Sequence, residues 1–147
     1  MFKGEYQHKL DKKGRIVLPS ELREIISEKY IEKFVVTKWL NDCLAVFSEE
    51  AWKNITGKLK TLPAGNKDRL YFTRTIFANA ADTAIDKQGR VFIPFHLRGL
   101  LGASKDVTVI GMDDRIEIWD KEKWTAYQKS QEKSFEEIAQ DLGGFGF

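Results

Sequence analysis

The chain of 147 residues is 42% hydrophobic and 12% aromatic, which is enough to bury the core of one ordinary domain or of two small domains that share a core. Its formal net charge is only +2 and Cys43 is its single cysteine, so the sequence excludes an intrachain disulfide and a cysteine zinc cluster. The start of the chain lacks the apolar segment of a secretory signal, and no apolar run approaches the roughly 20 residues that span a bilayer, so we expect a cytoplasmic protein with no membrane partner.

The first predicted elements are two strands joined by a tight turn. Apolar and polar residues alternate over residues 5–10, as is typical of a half-buried strand. Residues 11–14 then suit a type I turn, in which Asp11 accepts backbone N–H groups and Gly14 adopts a positive φ. A strand over residues 15–18 follows, because the residue before Pro19 favours extended geometry.

A short helix and a second hairpin complete the first half of the chain. The helix begins at Pro19 and has three apolar residues on one face: Leu22, Ile25 and Ile26. Two apolar stretches, residues 34–38 and 44–47, flank the turn residues Asn41 and Asp42 and predict the hairpin.

Two connecting helices and one final helix are predicted outside the hairpins. Ser48 and Asn66 are suited to cap the connecting helices, which are separated by a break at residues 63–66. The second connecting helix has one face that holds Leu70, Thr73, Phe77 and Ala80. The final helix begins near Glu122 and presents Trp124, Tyr127, Gln131, Phe135, Ile138 and Leu142. A flexible tail with two exposed phenylalanines follows at residues 143–147.

The second half of the chain repeats the first. The stretch DKKGRIVLP at residues 11–19 returns as DKQGRVFIP at residues 86–94, and the pair Leu22-Arg23 returns as Leu97-Arg98, both at an offset of 75. The offset then falls to 72, at which the last strands of the two halves align. We expect a single three-residue deletion in the connection after the short helix, because length changes are tolerated there.

The size of the repeat indicates how the two copies fold. A half of about 45 residues is too small to bury a core by itself, so we expect the copies to pair. The predicted fold is mainly β with α-helices: a pseudo-two-fold β-barrel with connecting and C-terminal helices. Its symmetry would bring the two D-K-x-G-R turns toward a common face.

The doubled signature resembles that of the MraZ family. The resemblance covers essentially the whole chain and includes MFKGEY, FTRTIFANAA and the tandem D-x-x-x-R motif. It implies two SpoVT-AbrB domains, which have the swapped-hairpin barrel of bacterial transcription factors, at residues 5–47 and 76–119. Residues 48–75 would then be connecting helices and residues 120–147 a C-terminal helix and tail. The resemblance also implies sequence-specific binding of double-stranded DNA, regulation of the protein's own division and cell-wall gene cluster, nucleoid association and a ring-like homo-oligomer.

Basic residues around the first strand and its turn face DNA in the related barrels. The resemblance therefore implies these DNA-binding candidates here: Lys3, Lys9, Lys12, Lys13, Arg15, Lys87 and Arg90. Four further residues are assigned to turn formation: Asp11, Gly14, Asp86 and Gly89. For Arg15 we favour DNA contact over an ion pair with the turn aspartate, whereas both alternatives stay open for Arg90. Because Gln88 stands where the first copy has Lys13, we expect the two copies to contribute unequally.

The remaining polar residues predict no catalytic or metal chemistry. His8 and His96 are the only histidines and have no ligand spacing, so we expect neither a metal nor a cofactor. The sequence has no nucleophile elbow and no phosphate-binding loop, so we do not expect an enzyme. Arg23 and Arg98 are assigned to solvated helix surface or to an ion pair between subunits. The tryptophans are assigned to the core.

The distribution of charge leaves two functions open. Residues 66–98 carry six basic against three acidic side chains, a balance of +3, and residues 113–147 carry five basic against nine acidic, a balance of −4. A polyanion bound on one side fits this pattern, but solvated surface charge explains it as well. The leading hypothesis is a DNA-binding transcriptional regulator of promoter direct repeats, and the alternative is a protein-binding scaffold or assembly module without specific DNA binding.

Overall fold

The computed structural model describes residues 1–29 and 31–146, apart from the side chain of residue 145, and this part of the chain contains eight strands and six α-helices. The strands are β1 (Glu5–Lys9), β2 (Arg15–Val17), β3 (Phe34–Lys38), β4 (Leu44–Ser48), β5 (Ala81–Thr83), β6 (Arg90–Phe92), β7 (Asp106–Met112) and β8 (Arg115–Asp120). The helices are α1 (Ser20–Glu28), α2 (Glu49–Lys60), α3 (Lys67–Asn79), α4 (Phe95–Arg98), α5 (Lys121–Lys129) and α6 (Phe135–Asp141). Gly143–Phe145 form a 3-10 turn, and the predicted exposure of the two tail phenylalanines lies outside the described residues.

The two halves of the chain exchange strands. Six strands form one antiparallel sheet in the order β1-β7-β8-β4-β3-β5, and β2 pairs with β6 in a separate two-stranded ribbon. Strand β1 of the first half pairs with β7 of the second, and β5 of the second half pairs with β3 of the first. The expected pairing of the two copies is therefore confirmed, and neither half contains a complete sheet of its own.

The strand registers locate the pseudo-two-fold axis. At the centre of the large sheet, Ala45 lies opposite Glu117, its repeat equivalent at the offset of 72. At the centre of the ribbon, Ile16 lies opposite Val91, its equivalent at the offset of 75. The axis passes through both pairs, so it relates the turn before β2 to the turn before β6.

Two details of the predicted architecture are wrong. The fold is mainly β with helices, as expected, but the barrel is not closed, because β1 and β5 remain the two edges of the sheet. The expected single deletion is divided between two loops. Phe34 pairs with Ser48 and Val107 pairs with Asp120, so the offset is 73 at the start of β3 and 72 after the hairpin turn. Two residues are thus missing before β7 and one is missing in the turn before β8.

The large sheet is buried on both of its faces. Along β4, Leu44 and Val46 belong to the core cluster that contains the ribbon residues Ile16 and Val91. The alternate residues of β4 belong to a second cluster with Trp39, Trp119 and Ile76 of α3, which confirms a core role for the two most buried tryptophans. The ribbon and helices α2 and α3 therefore lie on opposite faces of the sheet. This double burial explains why the central strands are continuously apolar rather than alternating.

Two of the predicted helices differ from the structure. In α3, Ile76 is buried in the cluster that contains Trp39 and Trp119, whereas Phe77 is 50% exposed. The hydroxyl of Thr37 donates a 2.6 Å hydrogen bond to the Ile76 carbonyl and so joins that side of the helix to the sheet. The final helix is two helices, α5 and α6. The Ser134 hydroxyl accepts a hydrogen bond from the Glu137 backbone N–H and so caps a new helix start.

Candidate nucleic-acid interface

The outer face of the β2–β6 ribbon is the candidate interface, and we call it the ribbon face. The inward residues of the ribbon, Ile16 and Val91, are fully buried. Because successive side chains of a strand alternate, their neighbours point outward. The ribbon face consists of four residues in two opposed pairs: Arg15 with Phe92, and Val17 with Arg90.

The ribbon face combines charge with exposed apolar surface. The antiparallel register sets Arg15 and Arg90 on a diagonal, at which residues are about 7–8 Å apart and within reach of long side chains. Val17 is 41% and Phe92 is 46% exposed, although both are apolar residues in strands. The duplication thus brings the two signature arginines together on one surface, as predicted from the repeat.

Each signature aspartate forms its turn with the same three hydrogen bonds. The Asp11 Oδ1 atom accepts from the backbone N–H groups of Lys13 and Arg15, both at 2.9 Å. Its Oδ2 atom accepts from Arg15 Nε, also at 2.9 Å. Asp86 repeats this arrangement with Gln88 and Arg90. The predicted turn-forming role of both aspartates agrees with this geometry.

The same hydrogen bonds lower the pKa of the two carboxyl groups. The backbone N–H of Arg15 is the largest cause that lowers the pKa of Asp11, and the Arg15 side chain adds to it. The pKa of Asp86 is lowered in the same way by the backbone N–H and then the side chain of Arg90. Both aspartates are therefore ionised at neutral pH and hold an arginine in place.

The ion pairs with the turn aspartates use the Nε atoms of Arg15 and Arg90 and not their Nη groups. Arg15 Nε lies 2.9 Å from Asp11 and Arg90 Nε lies 2.7 Å from Asp86, so the structural alternative considered for both residues is real. Within the described residues the two Nη groups of Arg15 have no hydrogen-bond partner, whereas Arg90 Nη2 donates to Gln88 Oε1 at 3.0 Å. The aspartate therefore orients each guanidinium while leaving it able to donate outward, and the replacement of Lys13 by Gln88 makes the two copies unequal.

Each turn packs against an arginine from the other half of the chain, a contact that was not predicted from the sequence. Gly14 has a φ of 82°, and a Cβ atom at this position would lie 2.2 Å from Arg98 Cζ. A Cβ atom at Gly89 would similarly lie 2.2 Å from Arg23 Cδ. Arg98 donates from Nε to the Ile93 carbonyl at 2.9 Å and from Nη2 to the Lys13 carbonyl at 3.1 Å.

The assignment of Arg98 to solvated surface or to a subunit ion pair is therefore wrong. The signal in the sequence was the repeat of Leu-Arg at the same offset as the turn glycines. Its meaning depended on the strand exchange, which sets the arginine of one half beneath the turn of the other.

The predicted lysines fall into two groups. Lys12, Lys13 and Lys87 are exposed at the tips of the two turns, beside the ribbon face. Lys9 is the last residue of β1 and lies 3.7 Å from Asp106 in an exposed ion pair. Lys3 precedes β1 at its other end, about 20 Å from Lys9 along an extended chain. The structure thus brings the turn lysines together with both arginines and leaves Lys3 apart.

Other kinds of site are not found in residues 1–29 and 31–146. This part of the chain has no group of three or more histidine, cysteine, aspartate and glutamate side chains arranged to hold a metal ion. None of its helices combines the length and the apolar character that crossing a membrane requires.

Comparison with known proteins identifies the family. Residues 1–75 and 76–145 each match the family model described as "MraZ protein, putative antitoxin-like". The chain belongs to the MraZ family. The two matches meet inside α3, so the repeat units of the family are not separate structural bodies in this chain.

Three relatives agree with this membership over nearly their full length. A protein of Caldanaerobacter subterraneus subsp. tengcongensis is 50% identical over 99% of both chains, and one of Acetivibrio thermocellus is 46% identical over 99% of both. A protein of a Thermoanaerobacter species is 49% identical over 97% of this chain and 96% of its own. All three are named Transcriptional regulator MraZ, so the named relatives are transcriptional regulators and not enzymes.

Proposed function

We propose that this chain is a transcriptional regulator that binds specific sequences of double-stranded DNA through the ribbon face and the two D-x-x-x-R turns. The observation that carries the proposal is the pair Arg15 and Arg90 on one exposed surface, with exposed lysines at the tips of the adjoining turns. The names of the relatives support a role in transcription. The family resemblance extends the proposal to the promoter of the chain's own division and cell-wall gene cluster.

The dimensions of the ribbon suit the major groove of DNA. Two strands lie about 4.8 Å apart, and the major groove, about 12 Å wide, admits a two-stranded ribbon with its side chains. The Nη groups of an arginine match the two acceptors of guanine, O6 and N7. Lysines on the flanking turns neutralise phosphates on the two walls of the groove and fix the register of the protein.

The two copies contribute unequally to this interface. Arg15 is oriented by Asp11 through Nε alone, so its fork of Nη groups is available for a base. Arg90 already donates a hydrogen bond from one Nη group to Gln88. Breaking that hydrogen bond reduces the free energy that Arg90 gains from a new contact with DNA. Arg15 is therefore the stronger determinant of affinity.

A single ribbon with strands of three residues makes few contacts, so we infer that avidity supplies the operating affinity. A ring-like homo-oligomer binds several direct repeats at once and gains affinity without new contacts. Such a ring needs head-to-tail contacts that close. Tyr71 and Phe77 of α3 are 76% and 50% exposed on the side of the sheet away from the ribbon, and contacts there leave the ribbon face free. Binding to the chromosome in this way entails a cytoplasmic, nucleoid-associated protein.

The test is a salt titration of DNA binding by two single variants. Arg15→Ala and Arg90→Ala are compared with the wild type on a duplex from the region directly upstream of the chain's own coding sequence. Loss of a bidentate arginine–guanine contact costs about 1–3 kcal/mol at each site, and loss of a phosphate contact lowers the slope of log K against log salt by about 0.9. We expect the larger loss of affinity for Arg15→Ala.

Lys60→Ala is the matched control for charge. Lys60 is exposed at the end of α2, on the far side of the sheet from the ribbon, so its removal should leave both affinity and slope unchanged. If Arg15→Ala binds with the affinity and salt slope of the wild type, Arg15 has no part in the interface.

The exposed apolar face of α3 favours a second candidate, a protein-binding scaffold for which DNA is incidental. Elution from an immobilised polyanion separates the two functions. A DNA-binding regulator is retained and elutes only at raised salt, whereas a scaffold passes through or elutes at trivial salt.

A further inference from the structure

The two ends of the ribbon differ in their apolar residues. At the offset of 75, Val17 corresponds to Phe92 and Ser20 corresponds to Phe95. Phe92 is 46% exposed and Phe95 is 82% exposed. The second copy therefore displays two aromatic rings where the first copy displays an isopropyl group and a hydroxyl.

A guanidinium group holds the two rings together. Arg98 Cζ lies 5.3 Å from the centroid of the Phe92 ring and 5.6 Å from that of the Phe95 ring. The same guanidinium donates to the carbonyls of Ile93 and Lys13. Hydrogen bonds to the backbone therefore fix the position of the Arg98 guanidinium, and both exposed rings pack against it. We call Phe92, Phe95 and Arg98 the aromatic cluster.

The aromatic cluster lies at the end of the ribbon that carries the first turn. Phe92 is directly opposite Arg15, and Arg98 contacts the turn through the Lys13 carbonyl. The exposed rings therefore lie beside Arg15 and the first turn of the proposed interface. The phosphates of DNA offer such rings no apolar partner, whereas the major groove offers the C5-methyl group of thymine.

We propose that Phe92 and Phe95 bind the C5-methyl group of a thymine next to the base pair contacted by Arg15, and that they thereby orient the protein on its site. The proposal rests on the proposed function. The thymine methyl is the one apolar group that base edges present in the major groove, and apolar side chains bind it. Rings stacked on a guanidinium lose little conformational freedom on binding.

This contact removes an ambiguity that the symmetry creates. A ribbon with an exact two-fold axis would bind a site equally well in both orientations. Direct repeats have one orientation, so their recognition requires a reading surface whose two ends differ. The aromatic cluster at one end and Val17 with Ser20 at the other add to the difference that Gln88 already makes between the two copies.

The test exchanges residues within the chain and methyl groups within the DNA. The double variant Phe92→Val/Phe95→Ser gives the second copy the residues of the first at two exposed positions. The probe is the duplex from directly upstream of the coding sequence, synthesised with either thymine or uracil, which lacks the methyl group. Burial of one methyl group changes affinity by about fourfold, so the wild type should bind the thymine duplex at least about fourfold more tightly.

The double variant should bind both duplexes equally, with the affinity of the wild type for the uracil duplex. Arg15→Ala is the control: it should lose affinity for both duplexes and keep their ratio. A wild type that binds the two duplexes equally, or a double variant that keeps the wild-type ratio, would overturn the proposal.

Light scattering of the double variant tests the alternative that the two rings form a contact between subunits. A changed molecular mass would assign the rings to a contact between subunits and would also overturn the proposal. A wild type that binds neither duplex would instead refute the proposed function, and this inference would fall with it.

Discussion

Gly14→Ala should destabilise the protein far more than an ordinary glycine substitution. The position has a φ of 82°, and a left-handed conformation costs a residue with a Cβ atom about 1–2 kcal/mol. The new Cβ atom would also meet Arg98 at 2.2 Å. Moving that side chain breaks its hydrogen bonds to the Ile93 and Lys13 carbonyls, each worth about 1 kcal/mol. The expected loss in the free energy of unfolding is about 3 kcal/mol.

Urea unfolding followed by tryptophan fluorescence measures this loss. Protein concentration is held constant, because association of subunits alters apparent stability. The control is Gly57→Ala in α2, where a Cβ atom would meet nothing within 4 Å. Alanine is preferred to glycine within a helix, so this variant should be about 1 kcal/mol more stable than the wild type.

A double-mutant cycle separates the backbone strain from the contact with Arg98. In an Arg98→Ala background the clash is absent, so Gly14→Ala should cost only the strain of about 1–2 kcal/mol. An equal cost in both backgrounds would mean that Arg98 is not seated against the turn of the other half. That result would refute the interlocked arrangement of the two copies.

Three further predictions concern the turns and the buried thiol. The pKa values of Asp11 and Asp86 are lowered in the folded state, so both carboxylates contribute stability that is present above the unfolded pKa and is lost as the pH falls through the folded pKa. An Asp11→Asn/Asp86→Asn variant should therefore have a lower melting temperature than the wild type at pH 7. The difference in melting temperature should shrink as the pH falls below about 4. Burial raises the pKa of Cys43 to about 12, so Ellman's reagent at pH 8 should find no reactive thiol until urea unfolds the chain. Gln88→Lys releases Arg90 Nη2 and adds a cation, so DNA affinity should rise and the salt slope should steepen by about 0.9; an unchanged slope would exclude the second turn from the interface.

The repeat made much of the fold predictable. Once the two copies were aligned, the small size of each half required that they pair, and the strands, the turn aspartates and the caps of α2 and α3 followed from local pattern. The caps are observed: Ser48 and Asn66 side chains accept from Ala51 and Arg69 backbone N–H groups. These features depend on residues close in sequence, so one sequence suffices to infer them.

The features that escaped prediction depend on partners distant in the chain. Both Ile76 and Phe77 make α3 apolar, and contacts with residues distant in the sequence, such as Thr37, accompany the burial of Ile76 against the sheet. The role of Arg98 likewise depends on a turn more than eighty residues away. Closure of the sheet depends on whether β1 and β5 meet, and nothing in either strand's own pattern specifies that.

The most direct test of DNA binding by the ribbon is protection of a thiol on the ribbon face. Val17 is 41% exposed, and the native Cys43 is buried, so Val17→Cys provides a single reactive thiol opposite Arg90 and on the same face as Arg15. The control is Lys60→Cys at the end of α2. Upstream duplex DNA should slow modification of Val17→Cys at least about tenfold, a loss of accessibility equivalent to about 1.4 kcal/mol, and should leave Lys60→Cys unchanged. Equal rates with and without DNA at residue 17, or protection of residue 60 instead, would contradict the ribbon as the DNA-binding surface.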